Sequence, residues 1–401
     1  MMEIKRISAG KQEAINDRRV VAICRTQILP LSETFVRDQA LALRRWQPVL
    51  VGERQIDGLS LDGLEVATRY RGAPRFFQRL EGAVWRQFNR AAPGFVTLIQ
   101  RQRPNLIHAH FGFDGVEAWP VAERLGVPLL VTLHGSDITT HMRWFAEGRA
   151  GRRWKAYPSR LARLAAQPSV SFVAISENIR EAAIAAGLPR ERIFVQPIGI
   201  DTQRFLRKGV PVGQRSPTIL FLGRLVEKKG ASYLLDAFEA LRRQLPEAKL
   251  VIAGDGPERS ALSVRADAIG GVRFVGAFSR EQAQALLVEA RVLCLPSITA
   301  ESGDAEGLPL VILEAQASGV PVVTSARGGA TEGIIDGETG YAFAERDVNV
   351  MVDRLARLLT DNALAERFSA AAPAFVAQSH ELRRHTAALE TLYDRVAGFR
   401  A

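Results

Sequence analysis

The stretch Thr218-Ile-Leu-Phe-Leu-Gly-Arg-Leu-Val-Glu-Lys-Lys-Gly230 carries the reading of the fold. Thr218–Leu222 is an apolar run of strand length. Gly223–Gly230 is a loop with three cations, Arg224, Lys228 and Lys229, and a helical stretch follows from Tyr233 to Leu245. Strand, basic loop, helix is the order in which open α/β sheets place an anionic ligand at the strand's C-terminal end. Arg224 offers a planar fork for phosphate oxygens and Lys229 a compact point charge. Taken alone, two adjacent lysines are as readily solvated loop charges.

Further elements line up behind this one. Leu250-Val-Ile-Ala-Gly-Asp-Gly-Pro257 reads as a buried strand ending in a glycine turn, and Val272–Gly276 as another short strand. Val292–Ser297 is a strand leading to Glu306-Gly-Leu-Pro-Leu-Val-Ile-Leu-Glu314. Pro309 suits a helix's first turn, where its missing N–H costs nothing. Glu306 is therefore expected in a loop at a helix mouth and Glu314 on the second turn. The unpaired N–H groups at such a mouth attract anions. Val320–Thr324 follows as a strand, then Arg327-Gly-Gly329, then a tight turn over Asp336–Gly340. Turns need glycine whether or not a ligand is near, so the order of the elements is the evidence rather than any one glycine.

That order resembles the retaining glycosyltransferases of family 4, which are marked by a Glu, seven residues and a second Glu. The resemblance implies that Glu306 touches a donor sugar and that Glu314 holds the nucleotide ribose. It implies that Arg224 and Lys229 grip the donor diphosphate, helped by amides at Gly307, Leu308 and Leu310. Gly223, Gly254, Gly256 and Val275 complete the expected nucleotide contacts. It also implies the GT-B architecture: two doubly wound Rossmann-like α/β domains facing a cleft. The domains are read as 1–207 on the acceptor side and 208–378 on the donor side. A C-terminal helix over 379–401 is expected to cross back to the first domain.

The N-terminal half reads as a second α/β unit. Strands are expected at Arg19–Cys24, Pro48–Val51, Leu106–His110, Leu129–His134 and Val170–Ile175. Ser32 is placed as the cap of a helix from Glu33 to Trp46, and Ser176 as the cap of a helix ending near Gly187. Alternating strands and helices imply a doubly wound parallel sheet.

His134 ends a strand at the edge where such sheets bind ligands. A lone strand-end His is often structural, but family members carry a His there that faces the donor sugar. His108 and His110 fall on one face of their strand, yet no Cys or third His lies at metal spacing, so no metal site is expected. His110 or Asp114 is a candidate acceptor contact. One family habit is missing. Where many members carry a Gly-Gly loop, this chain has Arg25-Thr-Gln-Ile-Leu-Pro-Leu-Ser-Glu-Thr-Phe35. That version resembles the branch building bacterial exopolysaccharides such as colanic acid and amylovoran.

Charge is divided unevenly along the 401 residues. The whole chain carries a net charge of +10, while residues 1–200 hold 29 basic and 18 acidic residues, an excess of +11. Arg75, Arg79, Arg86 and Arg90 share a narrow helical arc beside an apolar stripe of Phe76, Phe77, Leu80, Val84 and Phe88. Such a helix can lie in an anionic bilayer surface, or pack its stripe on its own sheet. Met1–Arg19 is too polar for a signal peptide, and no apolar run approaches the ~20 residues of a membrane span. A cytoplasmic protein, peripheral on the inner face of the membrane, is expected. Cys24 and Cys294 lie in separate buried strands, so no disulfide is expected.

The expected reaction moves a sugar from a nucleotide-diphosphate donor to a lipid-linked or free glycan, with no cofactor and no metal. Two alternatives stay open: another GT-B enzyme, an epimerase or a phosphorylase, and a basic nucleic-acid binder. The second has no recognised motif and few stacking aromatics, so nucleic acid is not expected as a partner.

Overall fold

A computed structural model describes residues 19–30, 33–56, 58–69, 90–205, 209–325 and 328–400. The first unit comprises β1 (Arg19–Ile28), α1 (Thr34–Ala42), β2 (Trp46–Gln55), β3 (Glu65–Thr68), α2 (Pro93–Arg101), β4 (Leu106–His110) and α3 (Gly112–Leu125). It continues through β5 (Leu129–Leu133), α4 (Met142–Ala146), α5 (Tyr157–Ala165), β6 (Val170–Ala174), α6 (Glu177–Ala185) and β7 (Ile193–Val195). The second begins with β8 (Thr218–Leu222), α7 (Ala231–Arg242), β9 (Lys249–Ala253), α8 (Arg259–Ile269), β10 (Val272–Gly276) and α9 (Arg280–Glu289). It ends with β11 (Val292–Leu295), α10 (Leu310–Ala317), β12 (Val322–Ser325), β13 (Gly340–Phe343), α11 (Val348–Thr360), α12 (Asn362–Ser379) and α13 (Leu382–Ala397).

Both sheets are parallel. The first runs β3-β2-β1-β4-β5-β6-β7 and the second β10-β9-β8-β11-β12-β13. The strand order reverses beside β1 in the first and beside β8 in the second, and a crevice opens at such switch points. The strands are buried on both faces by helices, which is why they read as continuous apolar runs. Two Rossmann-like domains thus face one cleft, as the sequence predicts.

Helix α10 is shared between them. Ile312 and Ala315 belong to the core of the second domain. Leu308, Leu313 and Ala317 pack with the core of the first. An all-round apolar helix is a helix buried on every side, and here the burial spans both units. The chain crosses between the domains twice. The two crossings are tied together where Ile200 N–H donates to His380 O at 2.8 Å and Leu382 N–H to Ile200 O at 2.9 Å. Gly199 allows this, because a Cβ there would lie 2.6 Å from the Leu382 Cα. Helix α13 then packs on the first domain, with Tyr393 against Trp46 and His108.

Some boundaries differ from expectation. The helix expected over 33–46 stops at Ala42, and Trp46 opens β2. The cause is Glu390 on α13. Its Oε1 accepts the N–H groups of Arg44, Arg45 and Trp46 at 2.8, 2.6 and 3.0 Å, drawing the chain out of the helix. Pro309 is the N-cap of α10 rather than a residue of its first turn. Strand β12 begins at Val322, after Pro321, because Pro supplies no ladder N–H. Ser32, Arg327 and the segment from Arg71 to Phe88 with its arginines lie outside the described residues. Cys24 and Cys294 are buried and free.

Candidate active site

The basic loop after β8 is built on glycines. A Cβ on Gly254 would lie 1.8 Å from Gly223 O, and one on Gly256 would lie 2.3 Å from Leu225 O. These two glycines let the β9 turn pack directly beneath the Gly223–Leu225 backbone. Their role is to support the loop. Gly230, at φ +67°, sits against Pro296 O and starts α7. Between them Glu227–Lys229 forms a single 3₁₀ turn, which aims the two lysines at the β11 loop. Lys229 Nζ reaches Glu306 Oε1 at 2.9 Å, and Lys228 Nζ reaches Asp304 Oδ1 at 3.0 Å. Arg224 remains exposed at the rim.

Glu306 is buried at the mouth of α10. Burial pushes its carboxyl up, but Lys229, Lys228 and Arg224 outweigh that and hold it below the ordinary range. It is a carboxylate in a cationic nest. Glu314, on the helix's second turn and half-buried, has the opposite balance. Burial raises it to about 7, with Arg280 pulling down and Asp38 pushing up. The two carboxylates of one motif therefore carry different charge at neutral pH, as their surroundings dictate.

The opposite wall belongs to the first domain. A Cβ on Gly307 would lie 2.2 Å from His134 O, so the His134–Gly135 turn rests on the Glu306–Gly307 loop. Asp137, fully buried, fixes this turn. Its carboxylate accepts N–H bonds from Gly112 at 2.7 Å, Gly135 at 2.9 Å and His134 at 3.1 Å. Burial still leaves Asp137 above the ordinary carboxylate range. Thr139 Oγ1 accepts the Ala305 N–H at 3.1 Å, and His141 N–H donates to Ser302 O at 2.9 Å. Glu332 of the second domain accepts the N–H groups of Glu177 and Asn178 at the start of α6, where a negative charge is favoured.

His134 is half-buried between two aromatic rings, Phe111 at 4.4 Å and Phe35 at 4.8 Å. Phe111 has φ +68°, a costly backbone state for a bulky residue. It is held there by its own N–H, which donates to Thr132 O at 2.7 Å. Phe111 also carries the Arg25 guanidinium on its face at 4.7 Å. Arg25 binds Glu33 and Asp114 by charged hydrogen bonds and donates to His110 O at 2.9 Å. Asp114 also accepts the N–H of Thr26 at 3.1 Å.

The site residues expected from the sequence fall into three groups. Glu306, Gly307, Leu308, Leu310, Glu314, Gly223, Arg224, Lys229 and His134 converge on the cleft, and Val275 lies near the end of β10, the edge strand of the second sheet. Gly254 and Gly256 act beneath the loop. His110 and Asp114 do not fit the expected acceptor contacts: both are buried and already engaged with protein groups. Phe35, Phe111, Arg25, Glu33, Asp38 and Arg280 were not anticipated. For Arg25 and Glu33 a signal existed, since opposite charges eight residues apart flank the one loop that departs from the glycine pattern. Among the described residues no His, Cys, Asp and Glu grouping has metal-binding form. No described helix is long and apolar enough to cross a membrane.

Comparisons with known proteins agree with this arrangement. Residues 202–375 match the family model described as glycosyl transferases group 1, and residues 32–204 match glycosyltransferase family 4. A glycogen synthase of Mycobacterium tuberculosis is 33% identical over 278 residues, covering 67% of this chain and 64% of that protein. The amylovoran biosynthesis glycosyltransferase AmsK of Erwinia amylovora is 33% identical over 254 residues, covering 62% and 60%. The chain thus spans less than two thirds of the length of these curated relatives. The fold is shared with Anabaena HepE, solved in complex with UDP-glucose: TM-score 0.73 at 19% identity, covering 93% of this chain and 99% of that one.

Proposed function

Because the chain belongs to the glycosyltransferases of group 1 and family 4, we propose that it transfers a sugar from a nucleotide-diphosphate donor to a glycan hydroxyl. The observation that carries this reading is the Lys229–Glu306 pair at the mouth of α10, facing the His134 turn. A cation beside a carboxylate supplies the two things such a donor needs. Lys229 and Arg224 would neutralise the diphosphate as negative charge develops on it. Glu306 would accept hydrogen bonds from the sugar hydroxyls. Preorganised charge of this kind is usually the largest catalytic contribution, at ~3–4 kcal/mol per contact. N–H groups at the start of α10 would add to it. Glu314 would hold the ribose.

The proposed outcome is retention of anomeric configuration, with the leaving phosphate acting as base on the face from which the acceptor attacks. The charge needed by the diphosphate comes from side chains, so the reaction is proposed to need no divalent metal. The relative named for amylovoran biosynthesis supports a role in polysaccharide synthesis, and the acceptor is proposed to be a glycan of a surface polysaccharide, free or carried on a lipid diphosphate. The basic first domain suits such an acceptor and an anionic membrane surface.

A panel of nucleotide sugars, read by protection against thermal unfolding, tests the donor. A ligand binding only the native state raises stability by about 2.7 kcal/mol at one hundred times its Kd. One nucleotide sugar should protect more than its free nucleoside diphosphate. Protection by none of them would remove the donor assignment. Consumption of the donor without any acceptor would favour an epimerase.

A further inference from the structure

Behind His134 stand two more histidines that the reaction above does not use. His108 and His110 alternate along β4, and both are buried. Their rings lie 4.4 Å apart. His108 is bounded by hydroxyls: Nδ1 lies 2.7 Å from Tyr393 Oη and Nε2 lies 2.7 Å from Thr132 Oγ1. A hydroxyl can donate or accept, so these contacts satisfy either form of His108.

The next pair has no such freedom. His110 Nδ1 lies 3.0 Å from His134 Nε2. Burial keeps both rings neutral, and His108 and Arg25 reinforce it. Each ring then owns one N–H, and the bond between them needs one N–H and one lone pair. His110 Nε2 is buried with no hydrogen-bond partner. If His134 were the donor, the His110 proton would sit on that Nε2, as a buried N–H with no acceptor. Orphaned buried N–H groups are rare and costly. The alternative leaves only an unused lone pair there. The proton between the rings therefore belongs to His110 Nδ1, and the His134 proton belongs to its own Nδ1. That Nδ1 makes no hydrogen bond to any described residue.

We propose that His110 is a positioning residue, which holds His134 as the Nδ1–H tautomer and so makes it a hydrogen-bond donor toward an oxygen of the bound donor sugar nucleotide. Phe35 and Phe111 fix the ring from its sides, and His110 fixes which nitrogen carries the proton. The proposal rests on the reading of His134 as a donor contact.

The test is nitrogen-15 NMR of the full chain with labelled histidine, recording long-range couplings from ring carbon-bound protons. Comparison with His134→Gln identifies the His134 signals. The expected result is a protonated Nδ1 and an unprotonated Nε2 on His134 in the wild-type protein. In His110→Leu the His134 Nε2 loses its hydrogen-bond donor, and turnover should fall about tenfold, the loss of one hydrogen bond. His110→Asn places an amide donor near the lost Nδ1 and should restore turnover with the Nδ1–H tautomer in place. A wild-type His134 protonated at Nε2 would overturn the proposal, and that measurement needs no variant to fold. So would wild-type turnover in His110→Leu. The spectrum needs no ligand, so failure of every nucleotide sugar to bind would sink the functional reading while leaving the tautomer assignment standing.

Discussion

Asp38 of the first domain and Arg280 of the second meet across the cleft, Oδ2 to Nη2 at 2.6 Å and Oδ1 to Nη1 at 3.2 Å. Asp38 is carried by α1, and Arg280 opens α9. Both side chains are largely shielded. The pair lies close enough to Glu314 for each member to act on its charge, Arg280 lowering and Asp38 raising its proton affinity. The closing contact between the domains is thus electrically part of the proposed nucleotide site.

Nucleotide affinity should follow the ionisation of Glu314. Ribose hydroxyls donate to a carboxylate, so binding favours the ionised form and releases a proton below about pH 7. Affinity for the nucleoside diphosphate should rise by up to about tenfold per pH unit below that point and level off above it. The stability sign is opposite. The folded carboxyl is held above its ordinary 4.5, so ionisation costs the folded state. The stability contribution of Glu314 is present at low pH and lost as pH climbs through about 7. Glu314→Gln should flatten both curves. Calorimetric titration between pH 5.5 and 8.5 checks this, and a pH-independent wild-type Kd would count against it.

Asp38→Asn should move that curve. Removing a neighbouring negative charge lowers the Glu314 proton affinity, so the affinity plateau should be reached at a lower pH. Arg280→Gln should shift it upward. Both variants break the same interdomain contact, so a purely mechanical latch would move them in the same direction. Parallel shifts would therefore remove the electrostatic link.

Lys229→Ala should cost more turnover than affinity. The substitution strips Glu306 of its nearest counter-ion, and burial would then push the Glu306 carboxyl up. It also removes charge from the developing diphosphate, a loss of roughly 10²–10³ in kcat for one preorganised donor. Wild-type activity should survive excess chelator. An enzyme silenced by chelator and revived by manganese would place the charge on a metal instead of Lys229.

The sequence was legible where one segment carries its own reason. The strand Thr218–Leu222 and its basic loop were placed residue for residue, because a doubly buried strand is apolar throughout and its loop must then be polar. Glu306 and Glu314 were placed at a helix mouth and second turn by Gly307 and Pro309. What escaped depends on partners distant in the chain. Asp38 and Arg280 are 242 positions apart, and neither neighbourhood hints at the other. The early end of α1 comes from Glu390, some 345 positions away. His110 was read as a candidate acceptor contact near the cleft, and strand alternation, which only puts it on one face with His108, cannot tell a cleft from the space beneath a second histidine.

Glu390 should be among the least replaceable side chains of α13. It is buried and gathers three N–H groups at the start of β2. Glu390→Ala orphans them together, at about 1–3 kcal/mol for each group that water cannot reach. Glu390→Gln keeps one acceptor oxygen and should lose less. Thermal unfolding ranks the two. Equal melting temperatures for the wild type and the alanine variant would show that the β2 turn holds without the carboxylate.

The basic first domain makes a prediction about membranes that the donor site does not share. Its excess of +11 includes Arg75, Arg79, Arg86 and Arg90, which a helical reading of the sequence would put on one arc beside apolar side chains. Each cation near an anionic surface contributes about 1 kcal/mol, screened by salt. Replacing the four with Gln should abolish sedimentation with vesicles rich in anionic lipid. It should leave nucleotide affinity unchanged, because Arg224, Lys229 and Glu314 belong to the other domain. Raising the salt from 50 to 500 mM should mimic the variant, since the Debye length then falls well below ~10 Å. Wild-type protein that ignores anionic vesicles even at low salt would remove the membrane assignment and favour a helix that packs its stripe on its own sheet.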